Sequence, residues 1–138
     1  MEESEKKLQQ MYMEFQMLEQ HMKQMQKQLE LITQQLVDLT ITSNSLDEFK
    51  KIKPGNDMFV PLSSGIFAKA SLKENSEVLV NVGANIAIKK DVDSAKKLIQ
   101  SQIEEVKQVQ KQMLGELEKM TSRASQLETQ LQSVLPQG

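Results

Sequence analysis

A chain of 138 residues with 38% apolar and 4% aromatic content, and no Trp, is lean in core-forming side chains for one globular unit of its length. A formal charge of -2, with 26% charged residues, favours neither nucleic acid nor an anionic membrane surface as a partner. The absence of cysteine excludes a disulfide framework and thiolate chemistry. The start, Met1-Glu2-Glu3-Ser4-Glu5, is acidic and lacks the apolar run of a signal peptide, and no stretch approaches a membrane span. The expected compartment is the cytoplasm.

The first element is a long helix over residues 5–48. Leu8, Met11, Phe15, Leu18, Met22, Met25, Leu29, Ile32, Leu36 and Leu39 follow one another in alternating steps of three and four. That spacing lays every listed side chain on one stripe, the seam of a coiled coil. Such a narrow seam needs little apolar material, which reconciles the ladder with the lean composition. At roughly 1.5 Å per residue the helix would be about 60 Å long. Neither Gly nor Pro occurs before Pro54, and Pro54-Gly55-Asn56-Asp57 is a strong turn signal.

Between residues 57 and 90 the period changes from 3.5 to 2. Met58, Val60 and Leu62 alternate with Phe59 and Pro61. Ser63-Ser64-Gly65 reads as a turn. Ile66, Ala68, Ala70 and Leu72 alternate with Phe67, Lys69 and Ser71. After polar Lys73-Glu74-Asn75-Ser76, Val78, Val80 and Val82 alternate with Leu79 and Asn81. Gly83-Ala84-Asn85 is a further turn, and Ile86 and Ile88 close the pattern. The simplest reading is two β-hairpins in series. Pro61 cannot donate to a ladder and belongs near an edge or strand end.

A second helix over residues 92–135 follows, capped by Asp91 or Asp93 and ended by Pro136 and Gly138. Its ladder is Ile99, Ile103, Val106, polar Gln110, Met113, Leu117, Met120, Ala124, Leu127, Leu131 and Val134. Gln110 either fixes register as a buried polar seam residue or hydrogen-bonds sideways to water. Gly115 falls on the outer face. Heavy Gln use suggests a low-complexity tract, but the unbroken seam opposes that reading. No repeat beyond the heptads is evident. With Phe15 at position a, the flanking sites of the first helix are mostly uncharged, so few salt bridges can select a foreign helix. The strands between the helices enforce pairing instead, by keeping the two helices at high effective concentration.

The fold class is therefore α+β: a long antiparallel two-helix coiled coil, residues 1–138 as one unit, with two β-hairpins between the helices. A two-stranded hairpin is marginal in water, and unpaired edges invite pairing that a closed barrel would satisfy. Val60, Leu62, Ile66, Ala68, Val78, Val80, Val82, Ile86 and Ile88 are the expected oligomerisation residues, with the strands joining an intersubunit β-barrel.

The central block carries a resemblance. Phe59-Val60-Pro61-Leu62-Ser63-Ser64-Gly65-Ile66-Phe67-Ala68-Lys69-Ala70, then Val78-Leu79-Val80-Asn81-Val82-Gly83-Ala84-Asn85-Ile86-Ala87-Ile88-Lys89-Lys90, then Ala95, resembles the α-class subunit of the prefoldin family. That class carries two hairpins between long helices where the β class carries one. Family turns often have Gly where this chain has Ser63 and Asn85, and Asn tolerates positive φ better than most residues. The resemblance implies a hetero-hexamer of two α-type and four β-type subunits with a double β-barrel platform and projecting arms. It implies an ATP-independent chaperone, a holdase that grips non-native client proteins at the arm tips and passes them to a group II chaperonin. It implies no enzyme, no catalytic residue and no cofactor, and points to the archaeal form while leaving a eukaryotic origin open.

Both termini should lie at the distal end of the arm. The seam accounts for Leu8, Met11, Phe15 and Leu18, but not for Tyr12 at position e, Met13 at f or Met17 at c. On the second helix Leu135 sits beside Val134, near Leu131. Leu8, Met11, Tyr12, Met13, Phe15, Met17, Leu131, Val134 and Leu135 are the expected client-binding residues, since a Met-rich surface adapts to many apolar shapes. The bland alternative is that scattered surface apolar residues are ordinary and Met is a good helix former.

Other signals carry less. His21 is the single histidine, and without Cys or a second His no zinc site is credible. Gly83-Ala84-Asn85 lacks the spacing of a phosphate loop. Lys50, Lys51 and Lys53 read as a solvated helix end, with a chaperonin contact as the competing role. Two other functional classes remain: a filament in which the strands propagate, and an adaptor binding one partner helix.

Overall fold

The computed structural model describes residues 2–134. The elements are α1 (Glu2–Lys51), β1 (Asp57–Ser63), β2 (Ile66–Ser71), β3 (Glu77–Gly83), β4 (Ile86–Asp91) and α2 (Val92–Val134). Two long helices enclose two antiparallel hairpins in sequence, as the change of period predicts. α1 extends three residues beyond the expected span at each end, from Glu2 to Lys51. The expected helix stop at Pro136 and Gly138 lies outside the described residues, as does Leu135.

The chain divides into two compact units, residues 1–35 with 106–138, and residues 36–105. In the first unit the α1 ladder from Leu8 to Ile32 is half-buried, as are Val106, Met113, Leu117, Met120 and Leu131 of α2. Ala124 is buried, and Leu127 is wholly enclosed at 0% exposure. Burying one such leucine contributes roughly 1.5–3 kcal/mol. Glu14 meets Arg123, while Thr33 meets Gln110, so the segments run antiparallel. The Gln110 amide donates to the Thr33 hydroxyl at 3.3 Å. The polar seam residue thus bonds across to the other helix, which favours its register-setting role.

In the second unit Val92, Ala95 and Ile103 are buried. The apolar ladder of α1 stops at Leu39, yet the seam continues at the same spacing through Ser43 to half-buried Leu46. Ser43 is 5% exposed, and its hydroxyl accepts a hydrogen bond from the Gln100 amide at 3.1 Å. A small hydroxyl can occupy a seam position because a cross-helix donor offsets its desolvation. Lys96 pairs with Asp47, and Lys50 with Asp93, further along the same two segments.

The Asp91 carboxylate accepts from the Ser94 backbone N–H at 2.7 Å, so Asp91 is the cap of α2 and Asp93 is committed to Lys50. At the end of α1, Lys53 to Asn56 form a turn closed by the Asn56 N–H on the Lys53 carbonyl, with Gly55 at φ +92°. The Asn75 side-chain amide donates to two carbonyls at that helix end, Lys50 at 2.8 Å and Ile52 at 2.7 Å. Last-turn carbonyls have no partner within the helix, and Asn75 supplies one to Lys50 from 25 residues away.

β1 pairs with β2 and β3 with β4 in two separate two-stranded sheets. The first register runs from Asp57↔Ser71 to Ser63↔Ile66 with an irregularity between Pro61 and Ser63. The second runs from Glu77↔Asp91 to Gly83↔Ile86 with an irregularity between Asn81 and Gly83. Each pairing in one hairpin recurs in the other 20 positions later, the irregularity included. The backbone geometry thus repeats where the sequence shows no repeat beyond the heptads. Few residues recur at that offset (Val60 with Val80, Ile66 with Ile86, Lys69 with Lys89), because pleat and turn constrain geometry more than identity.

The turns differ in detail. Gly65 alone takes positive φ among the residues of the first, whereas Gly83, Ala84 and Asn85 all do so in the second, at +104°, +52° and +60°. The Asn81 side-chain carbonyl accepts from the Gly83 N–H at 2.9 Å and steadies that turn. Asn85 in the left-handed region agrees with the tolerance expected of it.

Candidate functional site

Heptad geometry explains which side chains face outward at the end of the first unit where α1 begins and α2 ends. A seam takes only positions a and d, so apolar residues at other positions stay in water. Tyr12, Met13 and Met17 of α1 lie off the seam and are exposed, and Val134, the last rung of the α2 ladder, is exposed as well. Leu8, Gln9, Tyr12, Met13 and Leu131 together line a groove of about 450 Å³ whose wall is apolar apart from Gln9. Leu8 and Met11 meet Val134 in an adjoining groove with Ser4, Lys7, Gln130 and Ser133. Met13 and Met17 border a third, with Gln10, Glu14, Leu18 and His21. Of the residues picked out by sequence, Leu8, Met11, Tyr12, Met13, Met17, Leu131 and Val134 are brought into these adjoining grooves. Phe15 is half-buried in the seam and lines none of the three.

The electrostatics there are local. Arg123 Nε donates to Glu14 Oε1 at 2.8 Å and its Nη2 to Oε2 at 3.1 Å. This double hydrogen bond holds the Glu14 carboxyl below its ordinary pKa and raises that of Arg123. Among the described residues no group of His, Cys, Asp or Glu is arranged to hold a metal ion.

The hairpins form a second candidate surface. Val60, Ala68, Val78 and Val80 are half-buried, whereas Leu62, Ile66, Val82, Ile86 and Ile88 are exposed. Phe59, Phe67 and Leu79, which sequence reasoning left on the alternate face, are also exposed. Phe59 opposes Lys69 and Pro61 opposes Phe67, so the two phenylalanines are diagonal neighbours on one face. Large apolar side chains at both phases of a strand are the signal that could have found them. Both faces of each hairpin thus present carbon to water, a condition that short isolated sheets do not sustain.

No helix of the described residues is long and apolar enough to cross a membrane. The family model described as prefoldin subunit matches residues 18–137. A prefoldin subunit alpha from Methanobrevibacter smithii is 30% identical over 96% of this chain and 90% of its own length. One from Thermofilum pendens is 25% identical over 86% of this chain and 92% of its own. Among solved structures, filamentous PFD from Methanocaldococcus jannaschii matches at a TM-score of 0.77 and 15% identity, covering 86% of this chain and 98% of that one. Helices, paired hairpins and sequence converge: the chain belongs to the prefoldin family. Within it the two hairpins and the matching relatives define an α-class subunit. Prefoldin subunits are chaperones rather than enzymes, and membership implies assembly with other prefoldin subunits.

Proposed function

We infer that the chain is the α-type subunit of a cytoplasmic, ATP-independent holdase, which assembles with β-type subunits as two α and four β. Strand edges of the two hairpins supply the joint, and non-native proteins are gripped at the end of the helical pair bearing Tyr12, Met13 and Met17. The bound client then passes to a group II chaperonin. The observation that carries the grip is the groove of Leu8, Tyr12, Met13 and Leu131 beside the exposed Met13–Met17 pair. Flexible, polarizable thioethers suit clients of no fixed shape. The test is to co-express the chain, with and without Tyr12→Ser, Met13→Ser and Met17→Ser, with a β-type partner. Suppression of aggregation is then measured for several unrelated clients. A several-fold loss of suppression at unchanged complex mass supports the assignment; unchanged suppression rejects it.

A filament is the second reading, favoured by the likeness to filamentous PFD and by two hairpins of equal register, which make the chain divalent. Sizing separates the two: a filament gives a broad, concentration-dependent distribution, a hexamer a single mass.

A further inference from the structure

We propose that Met13 and Met17 form an oxidation-responsive modification site, which makes the apolar grip of the helical pair reversible by redox chemistry. This rests on the reading of the terminal grooves as the client grip.

Of the methionines among the described residues, Met13 at 62% and Met17 at 57% are the two more than half exposed. Met11, Met22, Met25, Met58, Met113 and Met120 are all half-buried. Exposure sets how readily an oxidant reaches sulfur, so the exposed pair reacts first. The two lie one helical turn apart and border the same groove, while Met13 also walls the groove of Leu8, Tyr12 and Leu131. Oxidation at either sulfur therefore falls inside the surface that would hold a client. The seam methionines, shielded by packing, keep the helix pair intact.

The step balances with a peroxide as oxidant. A sulfur lone pair attacks one peroxide oxygen, the O–O bond breaks and an S–O bond forms. The departing oxygen takes the proton released from the first and leaves as water, so sulfur loses two electrons and peroxide gains them. The product is a polar, chiral sulfoxide where an apolar, flexible thioether stood, and thiol-driven sulfoxide reductases reverse it. A sulfoxide in the groove must be desolvated before an apolar client side chain can dock, which weakens the hold.

The test treats the complex co-expressed with β-type subunits with graded hydrogen peroxide, maps sulfoxides by peptide mass spectrometry, and assays aggregation suppression and complex mass in the same samples. Expected are first oxidation at Met13 and Met17, a several-fold loss of suppression at unchanged mass, and recovery with a pair of sulfoxide reductases, one for each sulfoxide epimer. A Met13→Leu, Met17→Leu complex, compared with its own untreated sample, should lose no further suppression after peroxide. Oxidation at both residues without loss of suppression would overturn the proposal. So would earlier oxidation elsewhere, or equal loss in the leucine variant. The untreated serine variant above reads the grip itself, so failure of the grip and failure of the switch give different results.

Discussion

Arg123 holds Glu14 through two hydrogen bonds, at 2.8 and 3.1 Å, across 109 residues of chain. Both side chains flank the seam, so the pair reports whether the helices of the first unit are in register. Flanking charges in coiled coils choose alignment more than they add stability. Glu14→Arg and Arg123→Glu should each lower the temperature at which helical circular dichroism is lost, and the double exchange should restore it. Failure of the double exchange to recover the loss would show that the pair does not set register.

The same contact has a pH signature. Its hydrogen bonds to Arg123 hold Glu14 below its ordinary pKa in the folded chain. The pair's contribution is therefore complete above the ordinary glutamate value and is lost as pH falls through the depressed one. Asp91, depressed by its bonds to Ser94, adds in the same direction. Thermal stability should thus fall on acidification through the carboxylate range, and less steeply in Glu14→Gln. A parallel pH profile in that variant would remove Glu14 from the explanation.

Leu127 carries the largest packing consequence in the first unit, being the one large side chain fully enclosed among the described residues. Leu127→Ala should cost about 2–5 kcal/mol by lost transfer energy and a residual cavity. Hydrogen exchange should then accelerate around residues 8–18 and 120–131. Exchange unchanged there would mean the seam collapses around the deletion.

Asn75 ties the connector between the hairpins to the end of α1 through the Lys50 and Ile52 carbonyls. Asn75→Ala should cost about 1–2 kcal/mol, and Asn75→Asp more, since a carboxylate cannot donate and adds negative charge where the helix dipole is already negative. Thermal denaturation of the two variants gives the order. Equal stability of Asp and wild type would exclude the double donation.

Ala84 sits at φ +52° without the glycine that conformation favours. The left-handed region costs a side-chain-bearing residue roughly 1–2 kcal/mol, part of which glycine returns through its freer unfolded chain. Ala84→Gly should raise stability by about 0.5–1 kcal/mol, and Ala84→Val should lower it by more than that. A melt in which Gly destabilises would locate the strain elsewhere.

Sequence alone determined the class, the elements and their order. Apolar spacing of 3.5 and then 2 is a local property of helix and strand, readable without partners, and the hairpin motifs carried the family. It also put Tyr12, Met13 and Met17 in water, because a seam has room for two positions in seven and the remainder must face outward. Tertiary structure decided what depends on residues far apart in the chain. It continued the seam through Ser43 because Gln100 supplies a donor, chose Asp91 over Asp93 as cap, and turned Gln110 toward Thr33. It revealed Phe59 and Phe67 as neighbours, and two hairpins of one register with few residues in common. Such contacts depend on which donors and faces the folded backbone brings within about 3 Å, a distance that periodicity along the chain does not encode.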